Sequence, residues 1–447
     1  MKYVNTYIPG QISVPNYIDV ITPPDPGGGG GGVVTDWNPG IYLKTNASDL
    51  NFTSAANHTW TPYPYDPSDS NTAHKNSLFG LLDRKKWFRG LAILISWDKI
   101  ETSEGVYQTG WLDKIFDTVA GLQRATGQNK KILLYQNFRT FDVGVPDSIL
   151  PAYMRTQPTA NGGYYKDPVS FPPGANPPVN AKKYDHCWCY LGYYDANPTL
   201  QVVKGYNFSF YKFAGADSNI LKTRLYAYLT HIANKYKNHP AFGGMFPTES
   251  SIGTPYISYL DGNSRNAHYQ GRFNVMKKIR ELLPGKLVAE AINADNTYYH
   301  DLSDAGVTDG LIANRIAFTT PDCHTGTNMN LNNARLVLAG KVPIVHQIQP
   351  LMMKSKSGNR PTYYDWPNNP TTVLNGDGIL NNDPTPSAQW VMDRAQWLKS
   401  THFIYQHMME SNPALIDWPA FQAWMDTSIY ANDPAGGMIA TKPQFPG

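Results

Sequence analysis

Glu249 is the acidic residue of this chain that is best placed to do chemistry. It follows the short apolar run 242–247 and Thr248, at the point where a buried strand would end. A partly desolvated carboxyl group at such a point stays protonated near neutral pH and can donate its proton to a leaving oxygen. The alternative is an ordinary solvated carboxylate in a loop, so the rest of the chain has to decide between the two.

A second carboxyl group would have to act beside Glu249 as a base or nucleophile. Glu290, within the apolar run 287–292, is the first candidate if its side chain faces the same opening. If it faces outward it meets a helix, where a buried charge needs a partner. Asp295, in the loop after this run, is a rival, and Asp322 and Glu410 follow later predicted strands.

The composition favours a neutral, hydroxyl-rich ligand such as a sugar. Charged residues make up only 16% of the chain, whereas it contains 29 tyrosines and 11 tryptophans. An aromatic ring can stack on the apolar face of a sugar ring, although most tyrosines serve as packing residues. The predicted stacking residues are Trp97, Tyr135, Trp188 and Trp366, and the predicted polar contacts are Arg139, Thr248, Asn293, His346 and Gln347.

Strand-sized apolar runs alternate with stretches of helical periodicity from Trp87 onward, which predicts a parallel sheet with helical crossovers. An eighth strand, third in order, is expected within 157–217, near 202–203 or 208–213. Eight such units predict an α/β fold, the (β/α)8 TIM barrel, whose chemistry lies at the carboxyl ends of the strands. The seven clear runs are 91–96, 131–136, the run before Glu249, 287–292, 310–314, 342–347 and 402–406.

Two segments precede the predicted barrel, which spans 87–447. Residues 1–32 combine a short apolar arm with a tether of six consecutive glycines, and residues 33–86 form an irregular, partly strand-like cover. An arm on a flexible tether predicts docking to a larger assembly, such as a phage particle. The alternative is a tail without a role.

The gross composition excludes several classes of partner. No apolar run reaches 18 residues, so no membrane span is predicted. The net charge of +3 is spread without a basic stripe, which argues against nucleic-acid binding. Three cysteines form neither a disulfide framework nor a convincing metal site, so no metal or other cofactor is predicted. The amino-terminal residues lack a secretion signal, which predicts a virion or cytoplasmic location.

Three stretches resemble clan A glycoside hydrolases. Residues 90–113 contain Trp97, Glu101, Glu104-Gly-Val-Tyr107 and Trp111-Leu-Asp113, similar to the first strand and loop of that clan. Residues 145–153 look like the segment after its second strand, and residues 236–244 like the lead into its fourth strand. The resemblance spans roughly residues 87–410.

The resemblance implies a role for Glu249 as general acid/base, because the clan ends its fourth strand with Asn-Glu. Here the pair is Thr248-Glu249, which alters the neighbour that would contact the sugar. The clan also places a nucleophilic Glu at the end of strand seven, where this chain has amides and an imidazole in 345–349. A retaining mechanism needs carboxyl groups about 5–5.5 Å apart, and an inverting one needs about 6.5–9.5 Å.

Two functions therefore remain open. The first is an O-glycosyl hydrolase that acts on a polysaccharide, such as a virion-associated depolymerase, with Glu249 and Glu290 as the catalytic pair. The second is a catalytically inactive barrel that binds carbohydrate or serves as a structural virion protein. Glu249 favours the first, and the amide-bearing seventh strand favours the second.

Overall fold

The computed structural model describes residues 36–45, 78–122, 130–140, 149–156, 188–194, 201–208, 210–213, 220–248, 262–292, 305–320, 334–348, 388–406 and 418–444. The chain divides after Gly32 into two units, and every described residue lies in the second, Val33–Gly447. The predicted arm and tether therefore lie outside the described residues.

The described strands in chain order are β1 Gly40–Thr45, β2 Phe88–Ser96, β3 Glu101–Ser103, β4 Val106–Tyr107, β5 Lys131–Asn137, β6 Arg139–Thr140, β7 Trp188–Tyr194, β8 Gln201–Phe208, β9 Phe242–Pro247, β10 Leu287–Ala291, β11 Ala317–Thr320, β12 Ile344–Ile348 and β13 His402–Gln406. Eight of them run parallel and form a closed barrel in the order β1-β2-β5-β9-β10-β11-β12-β13, which confirms the predicted (β/α)8 fold.

Helices cover the outside of the barrel. The described α-helices are α1 Leu78–Arg84, α2 Gly110–Gly121, α3 Ala152–Thr156, α4 Ile220–Tyr236, α5 Gly262–Leu282, α6 Ala305–Ala313, α7 Ala388–Trp397 and α8 Trp418–Thr427. Short 3-10 turns occupy Trp97–Lys99 and Phe210–Phe213, and a π-helical turn occupies Ala334–Leu338. None of the described helices is both long and apolar enough to cross a membrane.

The strand that closes the barrel is β1, which lies in the predicted cover segment 33–86. It pairs in parallel with β13 on one side, where Gly40 faces His402, and with β2 on the other. The expectation of a third strand within 157–217 was therefore wrong. The described strands β7 and β8 of that segment form a separate antiparallel sheet with β6.

The sixth barrel strand also differs from the prediction. Residues 310–314 fall at the end of α6 and just after it, and the strand is β11, a few residues later. Arg315 adopts a positive φ of 54°, which ends the helix and redirects the chain into the strand. A short apolar run has the same composition in a buried helix and in a buried strand, so the pattern could not distinguish them.

Two apolar clusters separate the inside of the barrel from its outside. The larger cluster fills the space between strands and helices, and it includes Val288 of β10 and Ile344 of β12. Side chains alternate between the two faces of a strand. If a residue belongs to the inner cluster, the residues directly before and after it on the strand therefore point outward. The inner cluster contains Tyr42, Ala92, Leu133, Tyr135, Phe246, Leu287, Ala289, Ala317, Val345 and Ile404.

Gly244 allows β9 and β10 to approach each other. It pairs with Leu287, and a Cβ atom at this position would lie 2.1 Å from the Leu287 carbonyl oxygen. That oxygen belongs to the backbone of a barrel strand and cannot move without disturbing the ring. Gly244 therefore has a packing role.

We expect Gly244→Ala to destabilise the protein by about 3 kcal/mol or more, because the new methyl group overlaps the β10 backbone. The matched control is Gly110→Ala at the start of α2, where a Cβ meets nothing within 4 Å. The control should be neutral or stabilising by about 0.5–1 kcal/mol. Urea denaturation monitored by tryptophan fluorescence measures both, and equal stability of the two variants would contradict the packing role.

Candidate functional site

Thr248 is held in place at the carboxyl end of β9. Its backbone N–H donates to the Gln136 carbonyl at 2.7 Å, and its hydroxyl accepts from the Phe138 N–H at 3.2 Å. Its carbonyl oxygen accepts from Nη2 of Arg272 at 2.6 Å. The backbone from which Glu249 continues is thus fixed on three sides. Glu249 itself lies outside the described residues.

Gln347 points into the barrel. It shares the inner face of β12 with Val345, and its Nε2 donates to Oγ1 of Thr319 on β11 at 3.1 Å. Its Oε1 is buried and makes no hydrogen bond in the part of the chain that the structure describes. A buried amide oxygen needs a donor, so this atom favours a ligand hydroxyl or a water molecule.

Tyr135 also faces inward, but its ring is covered. Lys44 lies over one face, with Nζ 4.4 Å from the ring centroid, and the Phe246 ring lies 4.7 Å away. Only 2% of Tyr135 is exposed, so the structure places it in the floor of the barrel opening and not on a stacking surface.

Lys44 is a polar residue that sequence reasoning missed. It lies near the carboxyl end of β1 and is half-buried. The signal was present in the alternation of Gly40–Thr45, where Tyr42 and Lys44 share one face. The irregular sequence around β1 predicts a cover segment, and that prediction leaves the side chains of β1 outside the barrel.

Glu290 does not face the barrel opening. Its neighbour Ala289 belongs to the inner cluster and Val288 to the outer one, so Glu290 points outward. There its Oε1 accepts from Nε of Arg272 on α5, and neither side chain is exposed to solvent. Burial raises the pKa of Glu290, and the Arg272 guanidinium opposes that rise. Glu290 is therefore misplaced for the second catalytic carboxylate predicted above.

His346 likewise points away from the opening. It shares the outer face of β12 with Ile344, and its Nδ1 contacts the Ser400 hydroxyl next to β13. The expectation that His346 lines a sugar cleft therefore differs from the structure. The same alternation that turns Gln347 inward turns His346 outward.

Trp97 packs in the core and offers no open face to a sugar. Only 1% of it is exposed, and its ring stacks on Tyr228 of α4 at a centroid distance of 5.8 Å. Its Nε1 donates to Oε2 of the buried Glu101 at 2.5 Å. Oε1 of Glu101 accepts the Gly105 N–H and pairs with Arg224.

The remaining predicted site residues are only partly described. Arg139 lies on β6 and Trp188 on β7, both in the antiparallel sheet, and only their backbones are described. Asn293 and Trp366 lie outside the described residues, as do the rival carboxylates Asp295, Asp322 and Glu410. Within the described ranges, no group of three or more His, Cys, Asp or Glu side chains could hold a metal ion.

Comparison with known proteins gives matches among solved structures only. The chain matches no protein-family model, and no curated protein matches it. Similar structures include endo-glycoceramidase II from Rhodococcus sp., at 14% identity over 84% of this chain and 74% of that one, with a TM-score of 0.43. An intracellular xylanase from Thermoanaerobacterium saccharolyticum is similar at 10% identity over 85% and 90%, with a TM-score of 0.40. A beta-galactosidase from Rahnella sp. R3 is similar at 10% identity over 85% and 52%, with a TM-score of 0.41.

We expect Arg272→Met to destabilise the protein by about 3–5 kcal/mol, because it leaves Glu290 buried without a partner. The double variant Arg272→Met/Glu290→Met should return to within about 2 kcal/mol of wild type, since an apolar pair removes both charges. Urea denaturation of wild type, both single variants and the double variant measures the coupling.

The pH dependence of the Arg272→Met variant provides a second check. Without the guanidinium, only burial acts on Glu290, and its folded pKa lies above the ordinary value of 4.5. The folded state then holds its proton more tightly than the unfolded state, so stability falls as pH rises from 4.5 through the folded pKa. The deficit relative to wild type should be smaller at pH 5 than at pH 8. A deficit that does not change with pH would contradict the outward burial of Glu290.

Proposed function

We propose that this protein is a glycoside hydrolase that acts on a polysaccharide, with Glu249 as general acid/base. The observation that supports it is the fixed end of β9. Three hydrogen bonds hold Thr248 at the carboxyl rim of the barrel, directly before Glu249. Proton transfer by a positioned side chain requires a rigid support of this kind, because a small misplacement of the acid lowers the rate strongly.

The inward polar groups of neighbouring strands would bind the sugar. Gln347 presents its Oε1, which has no partner among the described residues, to a sugar hydroxyl, with Thr319 orienting the amide. Tyr135 and Lys44 form the floor beneath them. Thr248 would contact the sugar at the rim, and Arg139, Trp188, Asn293 and Trp366 would contribute from the surrounding loops and the antiparallel sheet.

The second carboxylate would come from a loop at the same rim. Glu290 is engaged with Arg272 on the outer side of the barrel, so another acid has to serve as base or nucleophile. Asp295 follows β10, Asp322 follows β11 and Glu410 follows β13, each within a few residues of the strand end. We propose Asp295 first, because β10 is the barrel neighbour of β9.

We expect Glu249→Gln to lower turnover by about 10²–10⁴-fold, because an amide cannot donate the proton. The assay incubates wild type and variant with a panel of bacterial surface polysaccharides and measures the reducing ends released. Asp295→Asn, Asp322→Asn and Glu410→Gln are measured in parallel to identify the second group. Gln347→Ala is the matched binding variant, and it should raise KM with a smaller effect on kcat. Wild-type activity that survives in Glu249→Gln would refute the assignment.

A catalytically inactive carbohydrate-binding protein is the second candidate, and one observation favours it. The inward residue near the end of β12 is the amide Gln347, and no carboxylate lies on the described part of that strand. A barrel that binds without turnover would retain glycan affinity, and Gln347→Ala would weaken that affinity. Glycan-array binding by wild type, together with no release of reducing ends, would establish this candidate and exclude the first.

We also propose that residues 1–32 attach the barrel to a larger assembly such as a phage particle. The support is the sequence layout of a short arm followed by six glycines. We expect that deletion of residues 1–32 abolishes incorporation into the particle and leaves the barrel folded by circular dichroism. A truncated protein that still co-purifies with the particle would exclude the anchoring role.

A further inference from the structure

The buried pair Arg272–Glu290 joins the outside of the barrel to the end of β9. Arg272 lies on α5, and its guanidinium reaches two groups at once. Nε donates to Oε1 of Glu290 on β10, and Nη2 donates to the Thr248 carbonyl oxygen at 2.6 Å. Neither charged side chain is exposed to solvent, and the guanidinium lies 5.6 Å from the centroid of the Phe210 ring.

Stability of the fold does not by itself account for this buried ion pair. Burying two charges costs more desolvation than most ion pairs recover, and each member here keeps an unpartnered atom. Nη1 of Arg272 and Oε2 of Glu290 are buried and make no hydrogen bond within the described ranges. In the part of the chain that the structure describes, the pair makes one further hydrogen bond, from Arg272 to the Thr248 carbonyl.

We infer that Arg272 is a positioning residue for Glu249, held in place by Glu290, and that it fixes the Thr248–Glu249 peptide plane at the mouth of the barrel. The inference rests on the proposed function for its catalytic consequence. The Thr248 carbonyl belongs to the same peptide unit as the Glu249 N–H, so the bond from Arg272 fixes the direction in which the chain leaves β9. Gln136 and Phe138 hold Thr248 from the β5 side, and Arg272 holds it from the α5 side.

The variant Arg272→Met/Glu290→Met separates positioning from folding. It removes the bond to Thr248 and both charges, and it replaces them with flexible apolar side chains that fill similar space. Tyr236→Phe is the matched control, because it deletes the part-buried hydrogen bond from Tyr236 to Asp113 of α2 (2.6 Å) and leaves the three hydrogen bonds of Thr248 in place.

The test measures hydrogen–deuterium exchange in peptides that span residues 246–252. We expect exchange at the Thr248 amide, which donates to the Gln136 carbonyl oxygen, to rise about tenfold or more in the double variant and to stay at the wild-type rate in Tyr236→Phe. Thermal unfolding is recorded for both, and the melting temperatures should differ by no more than about 5 °C. Exchange that is unchanged in the double variant would overturn the inference, whatever the activity.

The effect on kcat and KM is measured with the polysaccharide that the wild type degrades. We expect the double variant to lose about 10–100-fold in kcat with KM within about twofold of wild type, because the sugar contacts remain while the acid is misplaced. A rise in KM with unchanged kcat would overturn the positioning role. If the wild type degrades no polysaccharide, the proposed function fails, and the exchange experiment still decides whether Arg272 fixes this peptide.

Discussion

Closure of the barrel by β1 is the constraint on which the rest of the structure depends. Gly40–Thr45 pairs with β13 on one side and β2 on the other, so every barrel strand has backbone partners at both edges. In a closed ring, the side chains are left with only two directions, toward a narrow interior or toward the helices. The position of each candidate residue follows from that division.

The division keeps the buried glutamates Glu290 and Glu101 out of the barrel interior, which carries the amine of Lys44 and uncharged polar groups. Glu290 and Glu101 are both buried away from the barrel interior, and each has an arginine partner, Arg272 or Arg224. The barrel interior holds the amide of Gln347 and the hydroxyl of Thr319. A buried carboxylate without a cation would be costly, which is why these acids need arginines from the helices.

Residues of the sequence motifs have identifiable structural roles. Glu101 receives hydrogen bonds from Trp97 and Gly105, and it thereby shapes the turn after β2. Gly244 permits the contact between β9 and β10. These residues stabilise the strands whose ends form the rim of the barrel. Sequence resemblance in these stretches is therefore evidence for a shared fold before it is evidence for a shared activity. Catalytic function has to be argued from the rim residues themselves.

The sequence alone determined the fold class and most of the barrel strands, because buried strands and amphipathic helices have distinct hydrophobic periods. It also placed Thr248 at the end of the fourth strand and Gln347 on the seventh. Only the tertiary structure decided that β1 closes the ring. This six-residue strand lies between polar segments, so the sequence around it lacks the strand–helix alternation that marks the other barrel strands. The tertiary structure also turned Glu290 toward Arg272, since the facing direction of a strand residue depends on strand pairing with neighbours that are distant in sequence. Trp97 lies in a 3-10 turn and packs on Tyr228, which is also distant in sequence.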